Sequence, residues 1–166
     1  SRQLCLAEGF QVLAAAEGAE AGEDKASILK RLEKMQERTH VFGALPTLKY
    51  LAMGGRVGKL AASFGNTLEI KPILTSLDGK LDMLEKVRTW RKAKQRLVAL
   101  GVESVGGKSI DRLGLIHVNN EPGVLKLHES LEEVLDLPEE PILAEFTPGL
   151  SVHTGSGVIG FVLVTK

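Results

Sequence analysis

The stretch Lys71-Pro72-Ile73-Leu74-Thr75-Ser76-Leu77-Asp78-Gly79-Lys80-Leu81-Asp82-Met83-Leu84-Glu85-Lys86-Val87 decides the fold class. Asp-Gly between two apolar runs is the strongest short-range signal for a β-hairpin, since such residues accept the positive φ that a tight turn demands. Strands are expected at 71–75 and 80–87. Upstream, Leu6, Phe10, Leu13 and Ala14 recur at helical spacing in an alanine-rich segment, giving a helix over 4–20. Gly18, Gly22 and Asp24 break it. A second helix over 26–37 carries Ile28, Leu29, Leu32 and Met35 as an apolar stripe, with Lys30, Arg31, Glu33 and Lys34 on its other face. A strand over 39–45 ends at Pro46, a helix runs to Met53 before Gly54-Gly55, and another helix is expected over 59–68.

Downstream of the hairpin the pattern gives a basic amphipathic helix over 90–100 stopped by Gly101, then a strand over 113–118 and a helix over 121–135. Pro138-Glu139-Glu140-Pro141 is a rigid connector, followed by strands at 142–146 and 158–164. Paired strands and grouped helices argue an α+β fold, with helices on one face of a mostly antiparallel sheet.

Composition narrows the function classes. The 166 residues hold 43% hydrophobic and 25% charged side chains, as a globular protein does. Basic and acidic residues balance at 21 each, so no single-sign field would draw nucleic acid or an acidic membrane surface. One cysteine, Cys5, excludes an internal disulfide and suits a reducing cytoplasm. No apolar run reaches the roughly 18 residues of a membrane span. The chain begins without methionine, on an amphipathic pattern already under way, and so reads as a piece of a longer protein. Aromatics are 4%, so the core must be aliphatic.

The candidate site is Ser151-Val152-His153-Thr154-Gly155-Ser156-Gly157, running into the last strand. Its hydroxyls and backbone N–H groups could converge on an anion, and its imidazole is neutral or cationic near neutral pH. Its simplest reading is a glycine-rich turn feeding a strand. Gly106-Gly107-Lys108-Ser109 has Val102 where a phosphate loop needs glycine, and reads as a surface loop. His40, His117 and His128 lie on separate elements without carboxylates or cysteines at ligand spacing, so no metal site and no cofactor is expected. Cys5 has no nearby histidine to make it a nucleophile.

Several phrases stand in a recognisable order. They are Thr47-Leu48-Lys49-Tyr50-Leu51-Ala52-Met53-Gly54-Gly55-Arg56-Val57, Ile70-Lys71-Pro72-Ile73-Leu74, Asp78-Gly79, Val87-Arg88-Thr89 and His153-Thr154-Gly155-Ser156-Gly157. Together they resemble the DegV family of bacterial fatty-acid-binding proteins, over nearly the whole chain. Ser1 and the following helix look like that family's Asp-Ser segment and the helix after it, here without the aspartate. The resemblance implies a two-domain protein holding one long-chain fatty acid between its lobes. Residues 1–38 would then be a helical remnant of an incomplete N-terminal α/β lobe, whose other part supplies hydroxyls to the carboxylate site. Residues 39–166 would be the C-terminal lobe that takes the acyl tail.

The resemblance further implies a cytoplasmic carrier, monomeric and not an enzyme, that presents the acyl carboxylate to a separate ATP-dependent fatty acid kinase and carries away acyl phosphate. His153 matches the family's histidine near the carboxylate, with Thr154 and Gly155 beside it. Arg56 and Arg88 match arginines turned toward the kinase or the phosphoryl step. The candidate tail-lining residues are Leu60, Ala61, Phe64, Leu68, Ile73, Ile159 and Phe161. Each buried methylene is worth about 0.8 kcal/mol, so roughly 14 carbons give ~10 kcal/mol before ordering costs. Two other classes stay open at this point: a phosphate-binding enzyme or phosphotransferase fragment, and an interaction domain with a filled core and no ligand.

Overall fold

A computed structural model describes residues 1–55 and 70–166. The elements run α1 (Cys5–Glu20), α2 (Lys25–Glu37), β1 (Thr39–Ala44), α3 (Lys49–Met53), β2 (Lys71–Leu77), β3 (Lys80–Val87), α4 (Trp90–Val105), β4 (Ile110–His117), α5 (Glu121–Glu132), β5 (Ile142–Glu145), α6 (Pro148–Thr154) and β6 (Ile159–Thr165). The helix expected over 59–68 lies outside the described residues.

The hairpin forms where the sequence places it. Leu77 pairs with Lys80 across a two-residue turn, and Asp78 and Gly79 take φ of 50° and 74°. Both central residues are left-handed, as the type I′ turn requires. Among the described residues six strands make one sheet in the order β3-β2-β1-β6-β4-β5. All pairs are antiparallel except β4–β5, where α5 makes the crossover that a parallel pair needs. The α+β class and the mostly antiparallel sheet therefore stand.

Helices cover both faces of this sheet rather than one. Strand side chains alternate, so β6 sends Ile159, Phe161 and Leu163 into a core with Leu97, Leu127 and Leu131 of α4 and α5. Val162 and Val164 point the other way, into a core with Ala7, Phe10 and Ala14 of α1 and Met35 of α2. Every residue of β6 is buried as a result. The near-continuous apolar run 158–164 is what a strand covered on both faces looks like. The approach of α1 is close: a Cβ on Gly114 of β4 would lie 2.6 Å from Leu6 Cδ1 and 3.2 Å from Phe10 Cζ. Arg112 of β4 also bonds the Glu17 carboxylate of α1 at 2.6 and 2.8 Å.

Several helix boundaries differ from expectation, among them α5, which ends at Glu132 rather than 135. Asp24 caps α2 by accepting the Ser27 N–H at 2.8 Å. Gly101 does not stop α4, which continues to Val105 and ends on the left-handed Gly106. A Cβ on Gly101 would lie 3.1 Å from Leu131 Cδ2 and 3.3 Å from Phe161 Cζ, so this glycine serves close packing of α4 on α5 and β6.

Candidate functional site

The strand registers fix where the site forms. Ala44 pairs with Ile73 and Ile159, Ile159 with His117, and Lys71 with Val87. The segments following β1, β3 and β4 and the turn preceding β6 therefore meet at one end of the sheet. There α3 packs beside α6. The packing is reciprocal. A Cβ on Gly54, just after α3, would overlap His153 Nδ1 and lie 2.9 Å from Cε1. A Cβ on Gly155, just after α6, would overlap Tyr50 Cδ2 and lie 2.5 Å from Cε2. Each short helix lays one ring on the bare backbone of the other, and this sets the position of the half-buried His153. Gly155 has φ 77° and ψ 168°, a region open essentially to glycine alone.

The turn after α6 is held by hydrogen bonds within the protein. The Gly155 N–H donates to Ser151 O at 2.8 Å and the Gly157 N–H to Val118 O at 2.7 Å. Asn120 Nδ2 donates to Gly157 O at 3.1 Å, and Asn119 Nδ2 to Ser156 Oγ at 3.3 Å. The Asn119 N–H in turn donates to the Glu145 carboxylate at 2.7 Å. The two glycine N–H groups that the sequence offered to an anion are thus committed internally. His153 stands at the end of α6, and beside it the Thr154 hydroxyl donates weakly to Leu150 O at 3.4 Å and keeps its lone pairs for a further partner.

Beneath them lies an apolar cavity of about 50 Å³, about 440 Å³ when the space at its mouth is counted. It runs along the α1 face of the sheet. At one end it meets Thr154, Val158 and Leu45, and at the other Leu4, Ser76 and Leu81. Val41, Gly43 and Leu45 of β1 and the following residue form its floor, a length of roughly 13 Å at ~3.3 Å per strand residue. The Ser76 hydroxyl is buried and has no hydrogen-bond partner among the described residues. An orphaned hydroxyl in a low-dielectric slot is costly, and sites that bind something are where such groups are tolerated.

The structure brings together some of the residues picked from sequence and separates others. His153, Thr154 and Gly155 are consecutive, and Thr154 lines the slot. Arg88 is exposed just past β3, at the same end of the sheet. Ile73, Ile159 and Phe161 lie in the α4 and α5 core, on the opposite face from the cavity. Their sequence neighbours Leu74 and Val158 line the slot instead, because adjacent strand residues face opposite ways. Arg56, Leu60, Ala61, Phe64 and Leu68 lie outside the described residues. Asn119, Asn120 and Ser76 carried no motif; the Asn-Asn pair could have been read only as a turn. Burial holds the Cys5 thiol up at about 11, which keeps it protonated and unreactive. Among the described residues no group of three or more His, Cys, Asp or Glu side chains could hold a metal, and no helix is long and apolar enough to cross a membrane.

A family model described as "Uncharacterised protein, DegV family" matches residues 1–166. The chain belongs to the DegV family. A DegV domain-containing protein of Streptomyces coelicolor is 33% identical over 163 residues, 98% of this chain and 58% of that protein. Among solved structures, a DegV family protein from Thermus thermophilus, described by its fatty acid binding, superposes with a TM-score of 0.90 at 29% identity. The match covers 99% of this chain and 59% of the Thermus one. DegV from Bacillus subtilis, described as a fatty acid binding protein, gives 0.83 at 30% identity over 99% of this chain and 58% of its own. This DegV family chain thus spans somewhat over half the length of the relatives it matches.

Proposed function

We propose that this chain is part of a carrier that binds a long-chain fatty acid. The single observation that carries the reading is an apolar slot that ends at Thr154, the residue next to His153. The acyl tail lies along the β1 and β2 floor, and the carboxylate meets the His153 imidazole and the Thr154 hydroxyl. Burying a carboxylate without donors is prohibitive, so an acyl slot must end in such groups. Two related proteins described as fatty acid binding support this, at 29% and 30% identity. The committed N–H groups of Gly155 and Gly157 speak against a phosphate cradle here. The protein itself does no chemistry in this reading. It presents the carboxylate to a separate ATP-dependent kinase in the cytoplasm and carries off the acyl phosphate, with Arg56 and Arg88 turned toward that partner. Residues 1–38, whose α1 packs on this sheet and whose Leu4 lines the slot, also contribute to a second lobe, and 39–166 supply the rest of the tail site.

Native mass spectrometry of the purified protein, with lipid extraction beside it, tests the carrier reading. A bound mass matching a fatty acid is expected, and its absence from both this chain and its longer form would refute it. His153→Ala should lose a hydrogen bond to a charged group, worth about 1.5–3 kcal/mol, and so weaken fatty acid binding by about 10- to 150-fold. Unchanged affinity would remove His153 from the site.

A further inference from the structure

Glycine weakens a strand, so Gly43, the fifth of the six residues of β1 and paired on both sides, needs a reason. The usual reasons are a left-handed backbone, a close approach by other backbone, or a ligand. Gly43 is not among the positive-φ glycines. A Cβ there would have Ile159 O as its nearest neighbour, at 3.8 Å, an ordinary contact. Its cross-strand partner Gly160 is a different case. A Cβ on Gly160 would overlap Phe42 O and lie 2.9 Å from Gly43 Cα, so the backbone itself excludes a side chain there. The two glycines together leave a bare strip across the two central strands, and Gly43 lines the slot midway between its Thr154 and Ser76 ends. Neither conformation nor packing accounts for the missing side chain at 43. The space above it does.

We propose that Gly43 is a specificity-determining residue: it keeps the slot continuous, so that an acyl chain passes from the Thr154 end to the Ser76 end. This rests on the fatty acid reading above. Any side chain at 43 would project into the slot and divide it, which penalises long acyl chains and leaves short ones unaffected.

The test compares wild type, Gly43→Ala and Gly43→Val after delipidation, using competition binding with saturated acids from hexanoate to stearate. Wild type should prefer the longer acids. Gly43→Val should lose about tenfold or more in affinity for stearate, the effect of roughly two methylenes leaving the slot, and keep its affinity for hexanoate, which ends before Gly43. Gly43→Ala should shift in the same direction by less. Lipid-free melting temperatures should be no lower than wild type, since the added groups enter empty space. An unchanged length profile in a folded Gly43→Val overturns the inference and leaves the fatty acid reading intact. A uniform loss across all lengths with a lowered melting temperature assigns Gly43 a structural role only, and also overturns it. If Gly43→Val does not fold, Gly43→Ala decides by the same criteria. Wild type that takes none of the acids overturns the reading itself and this inference with it.

Discussion

Gly155→Ala is the substitution that most directly probes how His153 is held. Two effects add. The backbone at φ 77° and ψ 168° lies where a residue with a Cβ is strained by about 1–3 kcal/mol. The new methyl would also overlap Tyr50 Cδ2 and sit 2.5 Å from Cε2, against an optimum of roughly 3.5–4.0 Å between carbons. The ring must therefore move by more than about 1 Å. Overpacking of this kind costs about 1–3 kcal/mol, and the low end applies because Tyr50 is 39% exposed and can swing outward. The sum is about 2–4 kcal/mol. At roughly 2–4 °C per kcal/mol for a chain of this size, the melting temperature should fall by about 4–16 °C. Differential scanning calorimetry on the lipid-free protein measures it. A double-mutant cycle with Tyr50→Ala separates the two terms, because removing the ring relieves the overlap and not the backbone strain. The cycle should return a coupling of about 1 kcal/mol. A melting temperature within about 1 °C of wild type would refute the strain argument. Zero coupling would refute the claim that Tyr50 occupies the position of the missing Cβ.

Two further predictions follow from buried polar groups. Ser76→Ala removes a buried hydroxyl that has no partner among the described residues, so the lipid-free protein should gain up to about 1–3 kcal/mol and melt higher; a lower melting temperature would mean that the hydroxyl is satisfied. His40 has its pKa lowered from 6.5, first by burial and then by the Lys108 charge. The unfolded chain thus binds a proton more readily than the folded one. Stability from this group is complete above about pH 6.5 and declines as the pH falls through the lowered folded value. His40→Gln should flatten the acid limb of a melting-temperature profile taken from neutral pH downward, and an unaltered limb would clear His40 of that role.

Local chemistry made much of the fold legible. The Asp78-Gly79 turn, the apolar stripes of α1 and α2 and the strand runs are written in residue types that accept few alternatives. What was hidden shares one feature: it depends on what packs opposite. The helix α6 has seven residues, two of them Pro148 and Gly149, and buries none of them, so no apolar period marks it. The continuation of α4 through Gly101 rests on Leu131 and Phe161, distant in sequence, which fill the space its missing side chain leaves. Helices on both faces could be guessed from the apolar run of β6 alone, yet which helix covers which face could not.

The site divides in the same way. The His153-Thr154-Gly155 motif could be picked out because its residue types carry chemistry in themselves, and its Thr154 lines the cavity. The cavity was not readable. Ile73, Leu74, Val158 and Ile159 are equally apolar, and a strand directs neighbours to opposite faces, so sequence supplies the alternation without its sign. That sign was decided when α4 and α5 closed one face over Ile73, Ile159 and Phe161, while α1 left space over Gly43 and beside Leu74 on the other. The sequence by itself determined most of the elements; the packing of distant helices alone decided which side of the sheet holds the cavity.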